Sequence, residues 1–282
     1  PAELDNHCAT MWLLSPPCQP FNSCVMSKQK DLSDPRSRSL IHLITEVLPA
    51  VTIKPRRLFI ENVKGFAVSQ TRELVVRTLK IIGYRVTECL LSPSDLGIPN
   101  QRQRYFLLAS LVSSSNPAEC TAITIPTEEV VRLIHDCHSS ALCLPCHRGT
   151  QLKAYLDSPP PSSPSQFDIP PTTVLSRGLL FDIAQPDGTH SCCFTKGYGK
   201  LCEGAGSVLQ TKGVPLLPAS IDVIASSSSS SSAPSEALLQ CGLRYFTPTE
   251  ISRLHGFPSS FSFPAECGSI KQQYRLLGNS LN

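Results

Sequence analysis

The chain has 282 residues, 41% of them hydrophobic, which is enough for a real core in one large domain or two ordinary ones. A formal net charge of +3 is too small to identify a nucleic-acid partner and does not oppose one. No apolar run is long enough to cross a bilayer and no secretory leader opens the chain, so thirteen scattered cysteines read as reduced intracellular thiols, not as a disulfide framework.

The first element is a short apolar strand, Met11 to Leu14, running into Pro16-Pro17-Cys18-Gln19-Pro20-Phe21. Proline fixes its own φ and restricts the residue before it, so this turn holds Cys18 in one place. Cys18 is then either a nucleophile on a stiff turn or a buried thiol in a proline-rich loop. Leu40, Ile41, Leu43, Ile44, Val47 and Leu48 recur at helical spacing, and Pro49 is expected to stop that helix. A second strand, Leu58 to Ile60, ends at Glu61. The next helix carries Leu74, Val75, Leu79 and Ile82 on one face and stops at Gly83. Strands over Val86 to Leu91 and Tyr105 to Leu111 follow. The alternation predicts an α/β unit with a largely parallel sheet. In such sheets ligands bind beyond the carboxyl ends of the strands, so Cys18 and Glu61, each just past one, are expected to face one crevice. The alternative for Glu61 is a capping or surface carboxylate.

Between residues 113 and 176 the periodicity dissolves into Ser113-Ser114-Ser115 and Pro159-Pro160-Pro161, which predicts a linker or insertion with little core. Cys143-Leu144-Pro145-Cys146-His147 lies within it, near His135, Cys137 and His138, but no second spaced pair completes a four-ligand set, and no metal site is expected. Order returns at Gly178 to Ile183. Cys193-Phe194-Thr195-Lys196-Gly197-Tyr198-Gly199-Lys200 interleaves glycines, aromatics and lysines, as suits a loop that approaches a phosphate backbone and stacks a base; Gly-rich turns between short strands look the same. Seven serines, Ser226 to Ser232, form a flexible loop. Thr247-Pro248-Thr249-Glu250 opens a helix with a capping threonine, a proline at the first position and a glutamate three residues after the cap; Gly256 is expected to end it.

In order, the chain carries Pro16-Pro17-Cys18-Gln19-Pro20-Phe21, Glu61-Asn62-Val63, Asn100-Gln101-Arg102-Gln103-Arg104-Tyr105-Phe106, Arg244-Tyr245-Phe246-Thr247-Pro248 with Gly256-Phe257-Pro258, and Tyr274 to Asn282. These stretches resemble the DNA cytosine-5 methyltransferase family, and Cys193 to Gly199 resembles its tRNA cytosine-5 methyltransferase branch, the DNA methyltransferase homologue 2 branch. The resemblance implies a Rossmann-like S-adenosylmethionine-dependent methyltransferase sheet with a smaller target-recognition domain. It implies methylation of cytosine 38 in the anticodon loop of aspartate tRNA through a covalent cysteine–base intermediate. Cys18, Glu61, Arg102 and Arg104 would be catalytic. Pro17, Asn279 and Ser280 would touch the cofactor S-adenosylmethionine. Gln19, Asn62, Cys193, Phe194, Thr195, Lys196, Gly197 and Tyr198 would touch nucleic acid. The chemistry suits these residue types: carbon 5 of cytosine is a poor nucleophile until a thiolate adds at carbon 6, and a carboxyl group at nitrogen 3 eases that addition.

The family's opening strand and Gly-rich turn have no counterpart, because no glycine precedes Gly65. The first strands of the sheet are therefore expected to be missing, and the start at Pro1 and the end at Asn282 suggest a piece of a longer protein. Asn22-Ser23-Cys24-Val25 also departs from the family's usual continuation after the nucleophile. The expected organisation is a catalytic core over 1–112, a linker over 113–176, a target-recognition region over 177–245 and a return to the core over 246–282. A cytoplasmic and nuclear monomer is expected, with tRNA as partner, DNA less favoured and no membrane. The alternatives are a non-catalytic product that at most binds tRNA, and a DNA enzyme.

Overall fold

The computed structural model describes residues 2–22, 30–112, 121–137, 149–162, 165–201, 203–212 and 237–280. Ser23 to Val25, Ser113 to Ser115, Cys143 to His147 and Ser226 to Ser232 lie outside them, as do His138 and the side chains of His135 and Cys137. The chain divides into two units, Pro1–Ser92 with Gln103–Leu144, and Pro93–Arg102 with Pro145–Asn282.

The first unit begins with α1 (Ala2–His7) and β1 (Met11–Leu14). Helix α2 (Arg38–His42) passes through a π-helical turn, Leu43–Val47, and ends at Leu48–Ala50. Pro49 thus sits inside the last turn, not beyond it. It lacks an N–H to continue the regular ladder, and the chain leaves the helix two residues later at Val51, whose backbone is extended. Strand β2 (Arg57–Val63) leads to α3 (Gln70–Ile82). The α3 start is capped twice: Ser69 accepts the Arg72 N–H, and Asp31 accepts the N–H groups of Gln70 and Thr71 at 2.6 and 2.8 Å. The Thr71 hydroxyl also donates to Asp31, which turns Thr71 inward with Val75, Val76 and Leu79, while Leu74 and Ile82 are only half-buried. Gly83 follows with a left-handed backbone, as expected.

Strands β3 (Tyr84–Leu91), β4 (Arg104–Leu111) and β5 (Ala122–Thr124) complete a sheet of order β1-β2-β4-β3-β5, and α4 (Thr127–Cys137) follows. The sheet is mixed, not largely parallel. Pairs β1/β2 and β3/β5 are parallel, and β4 runs antiparallel to both neighbours because no helix carries the chain back between Leu91 and Arg104. The core beneath it gathers Ile44, Leu48, Leu58, Ile60, Leu79 and Leu107, each fully buried. Full burial of such side chains contributes about 1.5–3 kcal/mol apiece. Strand β1 lies at the edge of the order, and its Met11 and Leu13 are 46% and 70% exposed.

The second unit contains α5 (Pro171–Arg177), a three-stranded sheet of β6 (Ile183–Ala184), β7 (Val208–Gln210) and β8 (Leu243–Tyr245), then α6 (Pro248–Leu254) and α7 (Ile270–Asn279). The stretch expected to be a linker or insertion with little core holds β5, α4, a 3-10 turn at Leu152–Tyr155 and α5, with Leu152 and Val174 in cores. All of these but the 11-residue α4 carry too few residues to show a period. Residues 246–280 pack within this unit: Phe246, Ile251, Tyr274 and Leu277 share one core with Phe194 and Tyr198. The capping box at Thr247 and Glu250 forms as the sequence implies. Glu250, fully buried, also pairs with Arg244 through two bonds of 2.8 and 2.7 Å and accepts the Asp157 N–H.

Candidate active site

In the first unit, the chain leaving β1 bends through the three prolines, and Cys18 becomes the cap of a 3-10 turn, Gln19–Phe21. Its carbonyl accepts the Phe21 N–H at 3.1 Å. Pro20 and Phe21 are buried, whereas the Cys18 thiol is half-buried. The Phe21 ring stands edge-on to Phe66 at 4.8 Å, and Phe66 packs on Tyr105 at 5.1 Å, so aromatic contacts fix the turn from beneath. Gly65 lies against the same turn: a Cβ there would come within 2.1 Å of the Phe21 carbonyl oxygen, closer than any side chain can pack.

Strand β2 is parallel to β1, with Leu14 opposite Ile60, so the next residues of the two strands, Ser15 and Glu61, lie side by side. The Ser15 hydroxyl donates to Glu61 Oε2 at 2.9 Å, and Arg104 Nε lies 3.3 Å from Glu61 Oε1. Glu61 is 6% exposed and is no surface carboxylate. Nor is it past the end of its strand: the β4 ladder continues opposite it, pairing Glu61 with Phe106 and Asn62 with Tyr105, although β1 stops at Leu14. Asn62, buried, donates from Nδ2 to the Pro16 carbonyl at 3.3 Å and accepts the Val63 N–H at 2.8 Å, which ties the proline turn to β2. Pro17 is exposed, and Gln19 keeps an enclosed amide oxygen with no hydrogen-bond partner among the described residues.

Two further groups were not picked out from the sequence. Ser15 had no signal beyond adjacency to the proline turn. Arg36 sits in a 3-10 turn, Pro35–Ser37, whose cap Asp34 grips it through Nε and Nη2 at 2.9 and 2.6 Å. That grip holds the Asp34 carboxyl down at about 2. The Arg36 guanidinium is pushed up first by the Asp34 bond and, among lesser causes, by the charge of Cys18. The spacing Asp34-Pro35-Arg36 is the signal that could have found it.

The second unit receives the other predicted residues. Arg102 is 4% exposed and donates to the Phe194 carbonyl at 3.2 Å, to Cys193 Sγ at 3.3 Å, and to the carbonyls of Gly278 and Ser280. Its fork holds three backbone carbonyls and a sulfur, so it clamps this unit. Gly278 allows α7 to lie on the Thr195–Lys196 backbone, where a Cβ would meet the Lys196 nitrogen at 2.1 Å. Phe194 and Tyr198, expected to stack a base, are 1% and 4% exposed. Their rings pack edge-on to each other at 5.0 Å, Tyr198 stands edge-on to Tyr274 at 4.9 Å, and the Tyr198 hydroxyl donates to the Ser207 carbonyl at 2.6 Å. They are core, because the Thr195–Tyr198 turn closes on itself and points both rings inward. Of the expected contacts here, Cys193, Thr195 and Gly197 are half-buried, and Lys196 is exposed. Asn279 is exposed; the Ser280 hydroxyl lies 3.1 Å from His255 Nδ1 and 2.7 Å from the Leu277 carbonyl it donates to.

A half-buried thiol on a stiff turn, with a nearly buried carboxylate on the neighbouring strand, can add sulfur to an electrophilic ring carbon while hydrogen-bonding a ring nitrogen. The family model for the C-5 cytosine-specific DNA methylase matches residues 4–282. The chain belongs to that family. Its members transfer methyl groups and in general depend on S-adenosylmethionine. The chain is 36% identical to the Homo sapiens tRNA (cytosine(38)-C(5))-methyltransferase, over 99% of this chain and 81% of that protein. Two solved structures resemble it closely: the Entamoeba histolytica methyltransferase EhMeth, 33% identical with a TM-score of 0.75 over 99% of this chain and 75% of that one, and the S. pombe Dnmt2 methyltransferase, 30% identical with a TM-score of 0.74 over 99% and 76%. A Rossmann-like methyltransferase α/β fold, with a mixed sheet, is thereby established.

Proposed function

We propose that this chain methylates carbon 5 of cytosine 38 in the anticodon loop of a tRNA of the aspartate type, with Cys18 as nucleophile. The observation that carries the reading is that Ser15 and Pro16, which lead into the Cys18 turn, are bonded to Glu61 and Asn62 on the neighbouring parallel strand. The human relative's name supports the substrate. Cys18 sulfur bonds to carbon 6 of the ring, and the electron pair of the 5,6 double bond moves toward carbon 5. Glu61 hydrogen-bonds nitrogen 3 and shares a proton with it, drawing charge from the ring, while Arg104 and Ser15 hold the carboxyl group in place. S-adenosylmethionine, when bound, supplies an electrophilic methyl group. A water molecule then takes the carbon 5 proton, and the electron pair of that bond re-forms the double bond and expels the Cys18 sulfur as thiolate. Pro17, on the turn that carries Cys18, is exposed and fits an accessory contact to the cofactor. In the second unit Asn279 is exposed, and Ser280 has its carbonyl and hydroxyl engaged. In a folded loop the ring face is hidden, so the base must turn out of its stack to meet the thiol.

The test is transfer of labelled methyl from S-adenosylmethionine to unmodified tRNA and to duplex DNA, by this chain and by Cys18→Ala. Label on tRNA that disappears with Cys18→Ala supports the proposal. Label on DNA alone overturns the substrate, and label on tRNA that persists in Cys18→Ala overturns the mechanism.

A further inference from the structure

The second unit holds a donor cluster that neither the family's chemistry nor the site around Cys18 uses. We propose that Asp182, His190 and Cys192 form a binding site for a divalent transition ion of the zinc type. One carboxylate oxygen, one ring nitrogen and the sulfur lie within 4.8 Å of one another, and His190 Nε2 is 3.9 Å from Cys192 Sγ. Tetrahedral zinc, bound to sulfur at about 2.3 Å and to nitrogen at about 2.0 Å, spaces neighbouring donors about 3.5 Å apart, so the cluster needs to close by only about 1 Å. Thiolate with imidazole selects against magnesium and calcium, which take oxygen ligands, and three protein donors leave a fourth position for water.

The backbone beneath the donors is held in place by bonds of its own. Ser191, between two of them, is fully buried; its carbonyl accepts the Gln101 N–H at 2.8 Å and its hydroxyl donates to the Pro99 carbonyl at 2.6 Å. The Asp182 carbonyl accepts the Val208 N–H at 2.8 Å. Ser207, also fully buried, accepts the Cys192 N–H at 2.7 Å and donates to the Asp182 carboxylate. One hydroxyl therefore links the backbone of one donor residue to the carboxylate of another, the kind of outer hydrogen bond that orients metal-binding carboxylates.

The test titrates the full chain with Co²⁺ and then Zn²⁺, in a Cys143→Ser, Cys146→Ser background so that the other cysteine–histidine string cannot bind the ion. One equivalent of cobalt should raise a thiolate-to-cobalt charge-transfer band that zinc abolishes. Cys192→Ser should remove the band, and His190→Ala should weaken both ions about 100-fold, at least as much as loss of an outer-shell partner does. Absence of the band at one equivalent overturns the proposal, as does a band that survives Cys192→Ser with unchanged affinity. His190 is exposed, so its variant decides the matter should Cys192→Ser fail to fold: unchanged zinc affinity in His190→Ala overturns the site.

Discussion

The Pro16 to Phe21 turn and the Cys193 to Tyr198 segment look alike in sequence, each placing a cysteine beside aromatics and backbone-shaping residues. In the first, one ring, Phe21, goes into the core and leaves the thiol half-buried. In the second, both rings go into the core, and the cysteine sulfur accepts a bond from the Arg102 clamp. Prolines stiffen a turn without giving it anything to bury, so its polar group stays available; two aromatics four residues apart anchor a segment and leave only its lysines outside. A motif shared with a family therefore marks presented groups in one segment and mostly packing in the other.

Seven variants can break or sharpen this contrast. Cys18→Ala should lower methyl transfer by at least about 10⁴-fold, whereas Cys193→Ala should change it less than about tenfold; equal losses would erase the distinction. Phe194→Ala should cost about 3–5 kcal/mol in a denaturant melt, since it empties a fully buried ring site. Unchanged stability with lost tRNA binding would make the ring a stacking platform after all. Glu61→Gln should cut turnover about 10²-fold or more at unaltered stability, while Arg104→Ala should cost less because Ser15 still holds the carboxylate. Gly65→Ala should destabilise the first unit by about 1–3 kcal/mol and slow the reaction through a displaced Phe21, read by melting and single-turnover rates. The smallest effect belongs to Lys196→Ala. It should weaken tRNA binding about two- to threefold and lower the salt dependence by about one counterion, with stability unchanged.

Much of the first unit was legible because its elements are long and periodic. The strands, the α3 helix and the Gly83 stop follow from patterning. The direction of β4 was not legible, since a strand's residues do not record which way its neighbours run. Of the pieces between residues 122 and 177, the three to seven residues of β5, the 3-10 turn and α5 are too few to show a period, whereas α4 carries Val130, Val131, Leu133 and Ile134 at helical spacing and was overlooked. The different settings of Arg102 and Arg104 were not legible either. The two are two residues apart in sequence, yet Arg104 lies beside Glu61 and Arg102 donates to the carbonyls of Phe194, Gly278 and Ser280.

By itself the sequence determined what is local: a turn stiffened by prolines around the Cys18 thiol and a capped helix at Thr247 are imposed by neighbouring residues. Only the tertiary structure decided which polar groups meet and which rings are hidden. Ser15 reaches Glu61, Asp34 grips Arg36, Ser207 joins Cys192 to Asp182, and Tyr198 packs on Tyr274. Three of these four partnerships join residues from 15 to 76 positions apart, and packing, not spacing along the chain, selects them.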